Sequence, residues 1–425
     1  MRRVKPPEAS RRPWADYALV FVAAFALGIG LFARLYNLGS PSKQIWDEIY
    51  FPVFARSYLN DTPFFDLHPP LGKFIIAAGI ALFGDSPVGW RSMPALFGCA
   101  MIPLAAVLGW YYFKSRVEAL LLATFMACET MLIVYSRTGL MDGILVFFML
   151  ASFLAALRVE RREQVLWPMA LLGLTIAVKW AAFPLAIPIG YVLWRKGFLK
   201  PFLFTLWVPA VVYLAVVLVG QVANPTGAGR FFNDNNVFTN VFRWHRQALV
   251  NVSRAVPNDQ ASPWWAWPLM TRPILLYFQA YGAGKVATVL AVGNPLVWWS
   301  GTCAVVAGLF ELWRRFVTGR PILDHPLMTI VLGFVFLMLP WIPGTRIPYI
   351  YNYLPIYPFA ILALVYWLGR LWRYRPWGAW VVVAFAACAV ATVLYFLPVT
   401  TAQEMSHESL RQHIWLESWD RIQFH

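Results

Sequence analysis

Charge is what this 425-residue sequence has least of: only 13% of its residues are Asp, Glu, Lys or Arg, against 60% hydrophobic residues. A soluble chain carries roughly twice that charged fraction, so a soluble enzyme or binding module is excluded. Cysteine is also scarce. Cys99, Cys128, Cys303 and Cys388 all fall inside apolar stretches, with no CxxC pair, which removes a disulfide framework and a cysteine-ligated metal. No HExxH or comparable spacing points to a metal either. Internal repeats, low-complexity tracts and a soluble domain are likewise absent, which leaves a single membrane domain as the reading.

The apolar residues instead form runs, several of them longer than the roughly 18 residues that cross a bilayer. The core is therefore expected to be an all-α bundle in lipid, each helix satisfying its own backbone. The formal charge of +15 invites a nucleic-acid partner, but its distribution argues against one. The basic residues cluster in alternate loops, as with Arg158, Arg161 and Arg162, or Arg370, Arg373 and Arg375. That is the positive-inside pattern, and it sets topology.

Read with those loops as cytoplasmic, the amino terminus is inside and spans fall at about 16–36, 88–112, 117–136, 139–157, 165–182, 184–194, 203–222, 293–313, 327–343, 353–370 and 377–397. The expectation is about eleven transmembrane helices in one domain, 1–425. A first outer loop occupies 37–87, a large outer loop 223–284 and an outer tail 399–425. The run 74–83 is too short to span and reads as a helix at the outer interface, and amphipathic or re-entrant pieces are expected in the large loop up to about Gly284.

Under that topology the chemistry-bearing residues gather outside. The first outer loop holds Asp47, Glu48, Asp66, His68 and Lys73; Arg91 begins the second span; a short turn holds Arg137 and Asp142. The large loop adds His245, Arg246, Arg254, Asp259 and the block Ser262-Pro263-Trp264-Trp265-Ala266-Trp267-Pro268, and Arg346 lies near the last outer turn with Tyr349, Tyr351 and Tyr353. Carboxylates and arginines beside a bilayer suit a phosphate-bearing lipid: the guanidinium fork matches phosphate, and a carboxylate accepts the proton of an attacking hydroxyl. Arg91, Arg137 and Arg346 are the phosphate candidates.

Each residue has a plainer reading beside this one. Arg91 would snorkel to the interface, Arg137 and Asp142 would pair in their turn, and Lys73 would mark the start of a helix behind Pro69-Pro70. His68 and His245 would be hydrogen-bonded structural histidines. Trp264, Trp265 and Trp267 would anchor at the interface as readily as face a sugar. Asn60-Asp61-Thr62 and Asn251-Val252-Ser253 match glycosylation sequons, which matter only in a eukaryotic secretory membrane.

The blocks WDEIYFPVFARSYL…FFDLHPPLGKFIIA, GWRSMPALFG, YSRTGLMDGILVFF, SPWWAWPLMTRPI and YIYNYLPIYPF, in this order, resemble the protein O-mannosyltransferases, glycosyltransferase family 39. The resemblance implies the GT-C membrane fold and inverting transfer of mannose from polyprenyl-phosphate mannose to Ser/Thr hydroxyls, with pairing of chains admitted; because phosphate is a good leaving group no acid and no metal are strictly required, and a divalent-ion requirement stays open. By position it implies Asp47 as general base, Glu48 as its orienting neighbour and Arg91 on the lipid phosphate. It also implies His68 and Lys73 as shapers of the first outer loop, and the tryptophan block as part of the active-site wall. The chain departs from the family in two places. Residues 224–272 leave no room for the soluble MIR domain of eukaryotic members, which favours a short prokaryotic protein in a plasma membrane, with its site facing outside. Val256-Pro257-Asn258-Asp259-Gln260 replaces the usual histidine-proline-tyrosine, which leaves acceptor and sugar open. Another sugar, or a lipid or glycan acceptor, is the enzyme alternative. A lipid-linked-sugar flippase is the non-enzyme one, and it would place charges along a path through both leaflets.

Overall fold

A computed structural model describes residues 13–223, 236–253, 259–343, 348–375 and 377–420. Arg254, Arg346 and most of the departing segment at 256–260 lie outside them. In chain order the helices are α1 (Pro13–Leu35), α2 (Phe51–Leu59), α3 (Leu71–Phe83), α4 (Pro87–Phe113), α5 (Arg116–Ala127), α6 (Thr130–Ser136), α7 (Asp142–Arg158), α8 (Leu166–Val178), α9 (Ala186–Arg195), α10 (Leu199–Phe204) and α11 (Trp207–Ala223). They continue with α12 (Val237–Ser253), α13 (Pro295–Val317), α14 (Pro326–Met338), α15 (Tyr357–Tyr374), α16 (Gly378–Thr400) and α17 (His407–Gln412). Among the described residues five helices are long and apolar enough to cross a membrane: α1, α4, the run Leu199–Ala223, α13 and α16. The pair α5 and α6, bent by 60°, makes a sixth if taken as one broken span.

Local chemistry sets these boundaries. Ser86 caps α4, its hydroxyl accepting the Gly89 amide at 3.3 Å, and Pro87 sits where a helix needs no N–H. The same helix stops at Lys114, which turns left-handed at φ 56°. The break between α5 and α6 exposes backbone groups that lipid cannot satisfy, so buried side chains do it. Arg34 of α1 donates to Met126 O at 3.0 Å and Ala127 O at 3.1 Å. Asn294 Nδ2 reaches Cys128 O at 3.1 Å, and the Glu129 carboxylate accepts from the Met131 and Asn294 amides and, at 2.8 Å, from the Tyr357 hydroxyl. Gly30 lets α1 cross here: a Cβ would stand 2.9 Å from Ala127 Cβ.

The all-α expectation is incomplete. Where re-entrant pieces were expected, β1 (Ile274–Ala280) and β2 (Lys285–Ala291) form an antiparallel hairpin, and β3 (Met405–Ser406) extends it in the order β1-β2-β3. The physical cause is visible in the segment. Seven residues on either side of Gly282-Ala283-Gly284 are too few to span as helices, and they are rich in β-branched and aromatic side chains.

Candidate active site

The turn that carries the acidic pair is built to separate its two carboxylates. Trp46 takes φ 47°, uncommon outside glycine, and opens a single 3₁₀ turn over Trp46–Ile49. Glu48 is fully buried while Asp47 is half-buried. Glu48 accepts four hydrogen bonds: Arg91 Nε at 2.7 Å, Arg91 Nη2 at 2.7 Å, the Gly139 amide at 2.7 Å and the Ile45 amide at 3.0 Å. Arg91 spends its remaining donors on the carbonyls of Leu38 (3.1 Å), Pro41 (2.8 Å) and Lys43 (3.2 Å). All five of its N–H groups therefore meet protein acceptors. A buried ion pair tolerates desolvation only with such complete satisfaction. Glycine is needed at 139, because a Cβ there would come within 2.9 Å of Trp90 Cδ1 and 3.0 Å of Pro52 Cγ.

Arg137 follows α6 and does not pair with Asp142. It donates to the carbonyls of Ala33 (3.4 Å), Tyr36 (3.0 Å) and Asn37 (3.2 Å), capping the negative end of α1. Asp142 instead holds Lys179, whose Nζ lies 2.8 and 2.9 Å from the two carboxylate oxygens. Lys179 stands at the break between α8 and the 3₁₀ turn Trp180–Leu185. Its ammonium lies over the ring of Tyr351 at 5.2 Å and of Phe51 at 5.8 Å.

A row of rings ties Lys179 to the acidic pair. Tyr351 stacks on Tyr349 at 5.4 Å, and Tyr349 meets Trp46 edge-on at 6.3 Å. Tyr351 also faces Tyr135 at 6.0 Å. Tyr135, Tyr351, Lys179 and Asp142 thus form one neighbourhood, assembled from α6, α7, the α8 break and the segment before α15, and the ring row joins it to Trp46 in the loop that carries Asp47.

Lys73 and His68 are structural neighbours of this group. Lys73 is buried, ion-paired with Asp66, and donates to His68 O at 2.5 Å. The His68 ring lies 5.9 Å from Phe51. α12 docks on the same loop, because Trp244 Nε1 donates to Asp66 O at 2.8 Å. Next to it, the Tyr213 hydroxyl receives Trp180 Nε1 at 2.9 Å and sits 2.7 Å from His245 Nε2, while His245 Nδ1 sits 2.7 Å from Val241 O. A carbonyl can only accept, so Nδ1 donates to Val241 O, and the Tyr213 hydroxyl joins Nε2 to the Trp180 indole. In the tryptophan block the three rings differ. Trp267 is buried, with its indole N–H 3.1 Å from both Ser262 O and Ser262 Oγ; Trp264 is half-buried; Trp265 is 59% exposed. The block reaches the tyrosine segment through the Ser262 amide, 2.9 Å from Pro348 O. Among the described residues no three His, Cys, Asp or Glu side chains group as metal ligands.

Reading the sequence leaves Lys179 inside the span 165–182 without a role, and Glu129 inside 117–136. The signal that finds them is simple: an ionisable residue in the middle of an apolar run costs free energy unless something pairs with it.

A polytopic helical chain that buries Glu48 against Arg91 and Asp142 against Lys179 has the build of a GT-C membrane glycosyltransferase. The fold agrees with that class. The solved Saccharomyces cerevisiae protein O-mannosyltransferase Pmt1-Pmt2 complex, bound to its sugar donor, superposes with a TM-score of 0.81 at 17% identity, covering 96% of this chain and 93% of that one. ArnT from Cupriavidus metallidurans, bound to undecaprenyl phosphate, gives 0.55 at 15% identity over 95% of this chain and 79% of that one. The dolichyl-phosphate-mannose-protein mannosyltransferase family matches residues 24–90 and 85–226, and the C-terminal four-span region of protein O-mannosyltransferases matches 237–419. The chain belongs to the protein O-mannosyltransferase family. Among its relatives, the polyprenol-phosphate-mannose–protein mannosyltransferase of Mycobacterium tuberculosis is 27% identical over 471 residues, covering 91% of this chain and 89% of the relative.

Proposed function

We propose that this chain moves mannose from polyprenyl-phosphate mannose to Ser/Thr hydroxyls of proteins at the outer face of a prokaryotic plasma membrane. The observation that carries the reading is the division of labour in the acidic pair. Glu48 is consumed by the Arg91 and Gly139 clamp, which fixes the turn on which Asp47 stands, and Trp46 of that turn is joined through Tyr349 and Tyr351 to Lys179. In the reaction the acceptor oxygen attacks the anomeric carbon as the bond to the phosphate oxygen breaks. Asp47 takes the hydroxyl proton, and polyprenyl phosphate leaves with the bonding electrons, so one displacement inverts the anomeric centre.

The leaving phosphate needs a cation in a dry site. Lys179 supplies it: of its three N–H donors two are directed at Asp142, and the third with the charge behind it serves the phosphate. Arg91 holds the base in place, and Arg137 fixes the end of α1 beneath the site. Arg346 remains a phosphate candidate. Lys73, His68 and His245 shape the walls on the α12 side, and Trp264 and Trp265 offer faces to sugar or lipid. The domain reading stays as one unit, 1–425. Eleven spans are reached by adding α7, α8, α9, α14 and α15 to the six, with the segments 37–87, 223–284 and 399–425 outside and α2, α3 and α12 lying at the outer interface.

The test uses purified protein in detergent or vesicles, radiolabelled polyprenyl-phosphate mannose and a Ser/Thr-rich peptide. Label should appear on the peptide with inverted configuration. Transfer only from a different polyprenyl-phosphate sugar, or only to lipid, would move the protein to another substrate class within the same fold.

A further inference from the structure

The edge of the hairpin next to the candidate site is unpaired, and its hydrogen-bonding phase can be worked out. The Tyr281 amide donates to Lys285 O at 2.8 Å, so the residues of β1 that exchange bonds with β2 are Tyr281, Gln279 and Tyr277. Phe278 and Ala280, which alternate with them, direct their N–H and C=O groups away from β2. A second observation fixes the same phase. Across the bulge between Leu275 and Tyr277, Leu275 also faces outward, and the Gln260 side chain answers both of its backbone groups: Oε1 accepts the Leu275 amide at 2.8 Å and Nε2 donates to Leu275 O at 3.4 Å. One carboxamide thus occupies the place a neighbouring strand residue would take. Beyond it the edge runs on through Phe278 to Ala280, whose carbonyl receives Gln279 Nε2 at 3.0 Å. Among the described residues no strand pairs with that edge.

The edge is tied to the acidic loop by Lys43, whose ammonium sits 3.1 Å from Gln279 Oε1 and 5.2 Å from the Tyr277 ring centre. Lys43 lies four residues before Asp47, a reach of at most about 14 Å of extended chain. A strand laid along β1 with roughly 3.4 Å per residue would therefore bring a hydroxyl to the base within a handful of residues.

We propose that β1 is the docking strand for the acceptor: an extended Ser/Thr-bearing segment adds to its free edge through main-chain bonds to Phe278. This deepens the proposed function and rests on it. Main-chain pairing reads extension rather than sequence. It suits an enzyme whose acceptors share a hydroxyl and little else.

The test is steady-state transfer by the full-length protein, with peptide and donor varied separately. Phe278→Pro removes the edge N–H where an edge strand tolerates proline, and should raise the peptide KM about tenfold, the value of one or two main-chain bonds, with donor KM and kcat unchanged. Because that variant is also at risk of misfolding, a second arm leaves the protein alone. Wild-type enzyme receives peptides N-methylated at single amides on one flank of the hydroxyl, and KM should rise at alternate positions. Uniform or absent sensitivity in the peptide scan overturns the proposal while leaving the function standing. A change in oligomeric state with unchanged peptide KM in Phe278→Pro assigns the edge to a second copy, and overturns it too. No transfer by the wild type removes the function and this proposal together.

Discussion

Replacing Arg91 separates a clamp from a phosphate ligand. In Arg91→Met the Glu48 carboxylate stays buried with only the Ile45 and Gly139 amides as partners, and the carbonyls of Leu38, Pro41 and Lys43 lose their donor. Breaking a buried pair from one side costs about 3–5 kcal/mol, since a charge is left uncompensated. Glu48→Gln should cost a comparable amount, because it leaves the guanidinium without its countercharge. The double variant Glu48→Leu/Arg91→Met leaves no orphan charge and should cost less than the sum of the two by about 1–3 kcal/mol. Arg91→Lys keeps the charge but cannot serve five acceptors, and should fall near Arg91→Met. The assay is the thermal midpoint of the purified protein, with donor KM measured in parallel on whatever remains folded. An Arg91→Lys protein with a wild-type midpoint and a raised donor KM would refute the clamp and give the phosphate to Arg91.

Lys179→Gln should lower kcat/KM for the donor by about a hundredfold or more, the usual loss when one charge-stabilising donor leaves a dry site, while Lys179→Arg keeps part of the activity. Gly139→Ala should destabilise by about 1–3 kcal/mol and lower activity, because the added methyl must displace Trp90 or Pro52 and pull the Gly139 amide from Glu48. Tyr213→Phe removes the hydroxyl that joins Trp180 to His245; hydrogen exchange should quicken in α12, at a cost of about 1 kcal/mol, with α1 and α4 unaffected. Equal exchange in wild type and variant would show that α12 is held by its apolar face alone.

The helices were the legible part of this fold because lipid leaves the chain few choices: a long apolar run must be helical. The sequence ranges for α1, α4, α13 and α16 agree with the structure to within a few residues. The acidic pair and its loop were legible for the opposite reason, as polar residues packed between apolar runs. What escaped was pairing at a distance. Arg137 and Asp142 are five residues apart and look like partners. Yet the turn between α6 and α7 sends one to the end of α1 and the other to Lys179, 37 residues further on. The hairpin escaped because Ile274-Leu275-Leu276-Tyr277-Phe278 is a continuous apolar run, which periodicity alone cannot assign to strand or helix. Gln260, a polar side chain substituting for a strand, leaves no pattern in sequence at all.

The central claim is that Asp47 takes the proton of the attacking hydroxyl while Glu48 holds the turn. Asp47→Asn is nearly isosteric and should leave the thermal midpoint and donor binding close to wild type while transfer of radiolabelled mannose to a Ser/Thr peptide falls by about a hundredfold to ten-thousandfold, the range for loss of a general base. Transfer at the wild-type rate by a folded Asp47→Asn protein would contradict the account.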